Sequence, residues 1–449
     1  MAPSSQNALD LKRIDWSTLD GQGQFDALAR PARRSQRDVQ DVVSGIFEQV
    51  AISGGAAVTQ FSLQIDGVAP RRVAITPDAV AAARNALPPA DTRSLRIAAE
   101  NVRVFHQATK PEDTPFIETT PGVKSRLVWR PIRAAGIYVP GGTAPLFSSL
   151  LMQAIPAQVA GVPERVVVTP PAKGFDDFRG VHPAMILAAA EAGLDAIWLI
   201  GGAQAIAALT YGCVLDDGEI PACDKLFGPG NAYVAEAKRY AAALPNGPSV
   251  DMPAGPSELM VIVDGSADPE IAAADLLSQA EHDADAQVIL VSDSTATINA
   301  ILEAVEAQLE TLPRADIARA SLAEARVIKV RDMSAACQVA NLYGPEHLAL
   351  QTEDAEALVA RIMAAGAVFV GRFAAETLGD YAAGPSHVLP TDGGARTLGG
   401  ITTASFMTSM SVQTVTQAGA AVLAPVAARL ARLEGLEAHA RAADLRSPP

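Results

Sequence analysis

A chain of 449 residues, at roughly 100 to 200 residues per domain, has room for two to four domains, each burying its own core. Its 35 Lys and Arg face 50 Asp and Glu, and the net charge of −15 repels phosphate backbones and anionic lipid, which excludes nucleic acid and membrane surfaces as expected partners. Hydrophobic residues reach 49% with only 5% aromatic, the economy of buried strands covered by helices, so the expected fold class is α/β.

Residues 1 to about 130 read as mostly helical, with amphipathic spacing over Val39 to Val50 and Asp78 to Leu87, the latter opened by Thr76-Pro77 as cap and first turn. The Pro- and Thr-rich tract Thr109 to Gly122 reads as a surface connection. From Gly136 the texture changes. Short apolar runs at 136–139, 166–168, 196–200 and 225–227 alternate with helical segments at 148–160, 184–192, 203–211 and 232–244, which predicts a parallel sheet with covered faces. A second series follows: strands at 259–263, 287–291, 326–330, 348–351 and 367–370, with helices at 269–282, 295–309, 333–343 and 355–365. Two series of similar size suggest an internal duplication. After Gly393 come a Gly/Thr link, a Ser/Thr/Met segment and a long helix over Ala418 to Arg446, interrupted only by Pro425.

Three cysteines, Cys213, Cys223 and Cys337, form no C-x-x-C pair, so neither a disulfide framework nor a thiolate zinc site is expected. Met1 to Ile14 lacks an apolar core and carries charge too early for a secretory signal, which points to the cytoplasm. The richest apolar stretch, Met185 to Leu209, is broken by Glu191, Asp195 and Gly201-Gly202 well short of a spanning helix.

The six histidines carry the chemical signal, because four lie in the C-terminal part beside a carboxylate or an amide. Gln279 and His282 are three apart on a helix, so they share a face and can converge on an ion, although Glu281 is by chemistry the better ligand. Glu346-His347, after the Gly344-Pro345 turn, pairs a carboxyl with an imidazole as an acid/base couple or as two loop polar groups. Asp380 and His387 follow the last strand of the second series, where the carboxyl ends of open sheets place ligands; as plain structure they would cap a turn and hold a loop. His439 in the tail would complete a set of nitrogen and oxygen donors with His282 and Asp380. Three Gly-rich turns, at 140–143, 201–204 and 228–231, each lie between a strand and a helix, where backbone N–H groups can cradle phosphate. None is G-x-G-x-x-G, and non-binding turns would look alike.

Taken together, Gly136-Ile-Tyr-Val-Pro-Gly-Gly142, Gly201-Gly-Ala-Gln-Ala-Ile-Ala-Ala-Leu209, Phe227-Gly-Pro-Gly-Asn-Ala-Tyr-Val234, Asp251-Met-Pro-Ala-Gly-Pro-Ser-Glu258, Leu277-Ser-Gln-Ala-Glu-His282, Gly344-Pro-Glu-His-Leu348 and His387-Val-Leu-Pro390 resemble the histidinol dehydrogenases in order and spacing, from about residue 35 to 445. That resemblance implies a zinc- and NAD-dependent homodimer oxidising L-histidinol to L-histidine through the aldehyde, the last step of histidine biosynthesis. It implies one zinc per subunit, held by Gln279, His282, Asp380 and a His439 delivered by the partner subunit. It assigns Glu346 and His347 to acid/base catalysis, with His387 as a neighbour. Substrate would meet Ser257, Gln279, His282, His347, Asp380, Glu434 and His439, and NAD would meet Tyr138, Gln204 and Asn231. The implied architecture is two Rossmann-like domains with parallel sheets plus helical arms. Residues 1–30 form the N-terminal arm, 31–136 with 258–392 the domain of metal and catalysis, 137–257 the NAD domain, and 393–449 a dimerisation arm. Ser386 departs from the family, which commonly has Asn there. The competing readings are a related dehydrogenase of another polar alcohol, against which the intact Ser257-Glu258 pair speaks, and a two-lobed binding protein, which would need no Glu346-His347 pair.

Overall fold

The computed structural model describes residues 11–31, 37–141, 145–252 and 255–447; the first ten residues of the expected N-terminal arm and the Gly142-Thr143 half of the first glycine turn lie outside them. Two six-stranded sheets dominate. The first runs Ser249–Val250, Lys225–Phe227, Ala134–Tyr138, Glu164–Thr169, Ala196–Leu199 and Arg71–Ala74, parallel except for the last strand. The second runs Lys12–Asp15, Arg326–Lys329, Gln287–Ser292, Glu258–Val263, His347–Gln351 and Ala367–Val370, parallel throughout.

Strand alternation divides each sheet between two cores. Ile137, Val139 and Val167 pack with the helices Pro89–Ala108, Phe147–Ala160 and Pro183–Glu191, while Ala134, Tyr138, Val166 and Val168 pack with Arg37–Ser53, Gly202–Tyr211 and Ala232–Ala243. In the second sheet Leu259, Val261 and Val263 face Pro269–Ala280 and Thr295–Leu309, and Met260 and Ile262 face Met333–Tyr343. Both faces are covered, so the strands read as continuous apolar runs, and each buried Val, Leu or Ile contributes about 1.5–3 kcal/mol.

Four expectations change. The described part of the 1–30 arm is the edge of the second sheet, because Lys12–Asp15 pairs with Arg326–Lys329 and Trp16, Ala27 and Leu28 are buried in its core. Elements of 37–136 attach to the first sheet instead of the 258–392 lobe. The apolar stripe Val43, Ile46, Phe47 and Val50 is buried against that sheet's helices, and Arg71–Ala74 closes its edge. The Ser/Thr/Met segment is a strand, Met407–Val415, paired antiparallel with Val123–Pro131, which also pairs with Ile117–Thr120. The tail helix is split into Gln417–Leu433 and Glu437–Asp444 by Gly435, whose φ of 75° is the left-handed turn that ends helices. All three cysteines are free and buried. Among the described residues no helix is long and apolar enough to cross a membrane.

Candidate active site

The parallel register brings Glu258, the first residue of its strand, beside Gln287, and the next residue, Leu259, beside His347. Both strands start at the same end of the sheet, so the chemistry gathers at their amino ends. The expected carboxyl-end location is thereby overturned. The helix Pro269–Ala280 returns to that end with Gln279 and His282 at its C-terminus, and the six-residue helix Glu376–Tyr381 brings Asp380 back to it. That short helix approaches closely because Gly379 has no side chain; a Cβ there would lie 2.6 Å from Phe369 Cε1. Gly344, at φ 64°, makes the left-handed turn that delivers Glu346 and His347.

His347 is the centre of a buried cluster. Its Nδ1 lies 3.2 Å from the Glu258 carbonyl oxygen, which only accepts, so Nδ1 carries the proton. Nε2 is then the basic nitrogen; it is buried without a hydrogen-bond partner and stands 3.5 Å from Asp380 Oδ1. Glu346 Oε2 accepts the Glu258 N–H at 2.9 Å and lies 3.6 Å from His347 Nδ1. Burial pushes the Glu346 carboxyl up to about 7 against the pull of His347. Burial alone would lower the imidazole, but Glu346, Asp380 and Glu376 outweigh it and raise it to about 10. Asp380, although desolvated, is held low by His347. These groups share protons as a set.

The sequence-derived candidates divide into three groups. Gln279 and His282 touch, Nε2 to Nδ1 at 3.3 Å, and Gln279 Oε1 is buried without a partner. Burial lowers His282, with Asp380 opposing, so Asp380 faces both His282 and His347. His387 is fully bonded: its Nδ1 donates to the Asp380 carbonyl oxygen at 2.7 Å and its Nε2 meets Ser149 Oγ at 3.1 Å. Ser386 Oγ donates to the Met152 carbonyl oxygen at 3.2 Å. Thus the loop of 386–387 ties the second lobe to the helix leaving the carboxyl end of the first sheet. Ser257 is half-buried at the start of the Glu258 strand. Glu434 and His439 are exposed on the tail, and within one chain neither joins the cluster.

At the carboxyl end of the first sheet, Tyr138 Oη accepts the Gly202 N–H at 3.3 Å. Gln204 is buried beside it with Oε1 unpartnered. Asn231 caps the helix Ala232–Ala243 by accepting from Tyr233 and Val234 N–H, and Gly228 lies against the Tyr138 carbonyl. Sequence reasoning missed two residues, one in each lobe. Asp66 accepts from Gly201 N–H at 3.1 Å and from Gln204 at 3.3 Å. Glu376 is buried with Oε1 3.7 Å from His347 Nδ1, and burial pushes it up to about 8. Its i, i+4 spacing from Asp380 on a helix is the signal that could have found it. His347, Glu376 and Asp380 also place one ligand atom each within 4.8 Å of one another, a donor set that shares only Asp380 with the expected one.

Fold and cluster together define a two-lobed α/β enzyme with a buried, carboxylate-ringed imidazole at the amino end of its second sheet. A family model described as histidinol dehydrogenase matches residues 29–447. Histidinol dehydrogenases of Xanthomonas axonopodis pv. citri and Colwellia psychrerythraea are 44% and 42% identical over 97% and 96% of the chain, covering 99% and 98% of those proteins. The crystal structure of histidinol dehydrogenase from Elizabethkingia anophelis superimposes with a TM-score of 0.90 at 38% identity, covering 97% of this chain and 98% of that one. The chain belongs to the histidinol dehydrogenase family, oxidoreductases of histidine biosynthesis.

Proposed function

We propose that the protein is a cytoplasmic, zinc- and NAD-dependent homodimer that oxidises L-histidinol to L-histidinal and then to L-histidine. The observation that carries this reading is the unpartnered Nε2 of His347, a base held in the right tautomer by the Glu258 carbonyl. The surrounding carboxylates raise this imidazole to about 10, so it is neutral only once a cation takes up the Asp380 charge; in that state Nε2 accepts the proton of the substrate hydroxyl in the first oxidation and of the hydrated aldehyde in the second. Glu346, held by the Glu258 N–H and raised towards neutrality, takes a proton from the water that adds to the aldehyde. Asp380, kept ionised, stabilises the imidazolium that results.

The donors present fit a zinc ion. Gln279 Oε1 is an orphaned oxygen beside an imidazole, and Asp380 is a carboxylate kept ionised; buried unpaired polar groups are costly unless something occupies them. Gln279, His282 and Asp380 would hold the ion, with His439 of the partner subunit as fourth ligand, and Ser257 and the partner subunit's Glu434 would hold the rest of the substrate. When bound, zinc fixes the substrate's nitrogens and NAD accepts hydride. The exposure of His439 and Glu434 on a tail supports their use by a second copy. Tyr138, Gln204 and Asn231, at the carboxyl ends of the first sheet, would contact NAD, where open sheets bind nucleotides.

Purified protein given NAD and histidinol should form two NADH per substrate, and a chelator should stop it. Turnover of another polar alcohol with none of histidinol would refute the assignment.

A further inference from the structure

Arg30 leaves the N-terminal segment and reaches the second lobe. Its Nε donates to Glu258 Oε1 at 2.5 Å and its Nη2 to Oε2 at 2.8 Å, a two-pronged fork of the strong, planar kind. Nη2 also meets the carbonyl oxygens of Tyr343 at 3.1 Å and Gly344 at 3.4 Å, and the guanidinium lies 3.8 Å from the Tyr343 ring centroid. One cation therefore grips two chain segments: the start of the Glu258 strand and the turn that delivers Glu346 and His347. The Glu258 carboxylate is 1% exposed and also accepts the Asp392 N–H at 3.0 Å.

The backbone of this same residue is what orients the catalytic pair. Glu258 N–H holds Glu346 Oε2 and Glu258 C=O holds His347 Nδ1–H. A buried ion pair contributes little net stability over an apolar replacement of equal volume, so stability alone gives no reason to place one here. Its fork instead anchors Glu258 between two peptides: the one ending in its N–H aims Glu346, and the one starting with its C=O sets which His347 nitrogen bears the proton. We infer that Arg30 is a positioning residue, acting through Glu258 to aim Glu346 and to keep His347 in the tautomer whose Nε2 accepts the substrate proton.

The inference rests on the acid/base reading of Glu346 and His347, and its test separates the two. In the full-length, zinc-loaded enzyme, Arg30→Lys keeps the charge and the aliphatic stem but loses the fork, and Arg30→Gln loses both. For Arg30→Gln, kcat with histidinol should fall about 100-fold, the usual cost of a misplaced catalytic group, with KM unchanged. Arg30→Lys should recover the melting temperature but not kcat, whereas a merely structural Arg30 would have both recovered together. Independently of any substrate, the Nδ1–H resonance of His347 in protein labelled with 15N-histidine, assigned by its loss in His347→Gln, should shift or broaden in Arg30→Lys. A wild-type kcat in either folded variant, or an unchanged resonance, overturns the inference. Failure of wild-type protein to oxidise histidinol would sink the functional reading and leave the resonance test standing.

Discussion

His106 offers a pH-dependent stability that can be worked out before measurement. It lies on the helix Pro89–Ala108, fully buried against Thr403. The Thr403 hydroxyl donates its one proton to the His106 carbonyl oxygen at 2.8 Å and lies 3.4 Å from Nδ1, so Nδ1 carries the ring proton. Nε2 is buried without a partner, and burial pushes the imidazole down to about 4. The unfolded chain takes up its proton near 6.5, and the folded protein resists until about 4. Between those values the unfolded state binds more protons, so stability is full above pH 6.5 and falls as pH drops towards 4. The whole interval corresponds to about 3 kcal/mol, a large share of a stability of about 5–15 kcal/mol. His106→Leu removes the titration and leaves the Thr403 bond to the backbone intact. Urea unfolding midpoints at several pH values should show wild type losing about 3 kcal/mol more than the variant on acidification, while the other acid-sensitive groups cancel in the difference. Parallel pH profiles would refute the assignment of a neutral, desolvated His106.

Three further outcomes bear on the site. His347→Asn should retain zinc and nucleotide binding while single-turnover hydride transfer slows by about 10²–10⁴-fold; loss of zinc would mean that His347 is itself a ligand. Metal analysis separates the two donor sets: His282→Ala should lose zinc and Glu376→Gln should keep it, and the reverse result would favour the His347, Glu376 and Asp380 group. His282→Ala and His439→Ala, each inactive, should regain part of the activity when mixed into heterodimers, because one site of the hybrid then has every ligand; no rescue in verified heterodimers would place the whole site within one chain.

What could be read in advance follows the range of the interactions involved. Glu346-His347 and Gln279-His282 were visible because adjacent residues, or residues one helical turn apart, stay together in any fold that keeps the local structure. The alternating apolar runs gave the strands for the same reason. Direction was harder: a continuous apolar run says that a strand is covered, not at which end the returning helices leave their side chains, and so the site was expected at the wrong end of the second sheet. Met407–Val415 escaped notice because none of its residues is buried. Without a core face a strand has no pattern, and its partner alone defines it. Glu376 depends on a six-residue helix seated by a glycine against Phe369, and Arg30 meets Glu258 across 228 residues of sequence. Chemistry that rests on such distant pairings leaves no spacing to read. The acid/base pair was legible as two side chains, but the peptide that selects the imidazole tautomer, and the guanidinium that holds that peptide, exist only once the strand starting at Glu258 lies beside the one starting at His347.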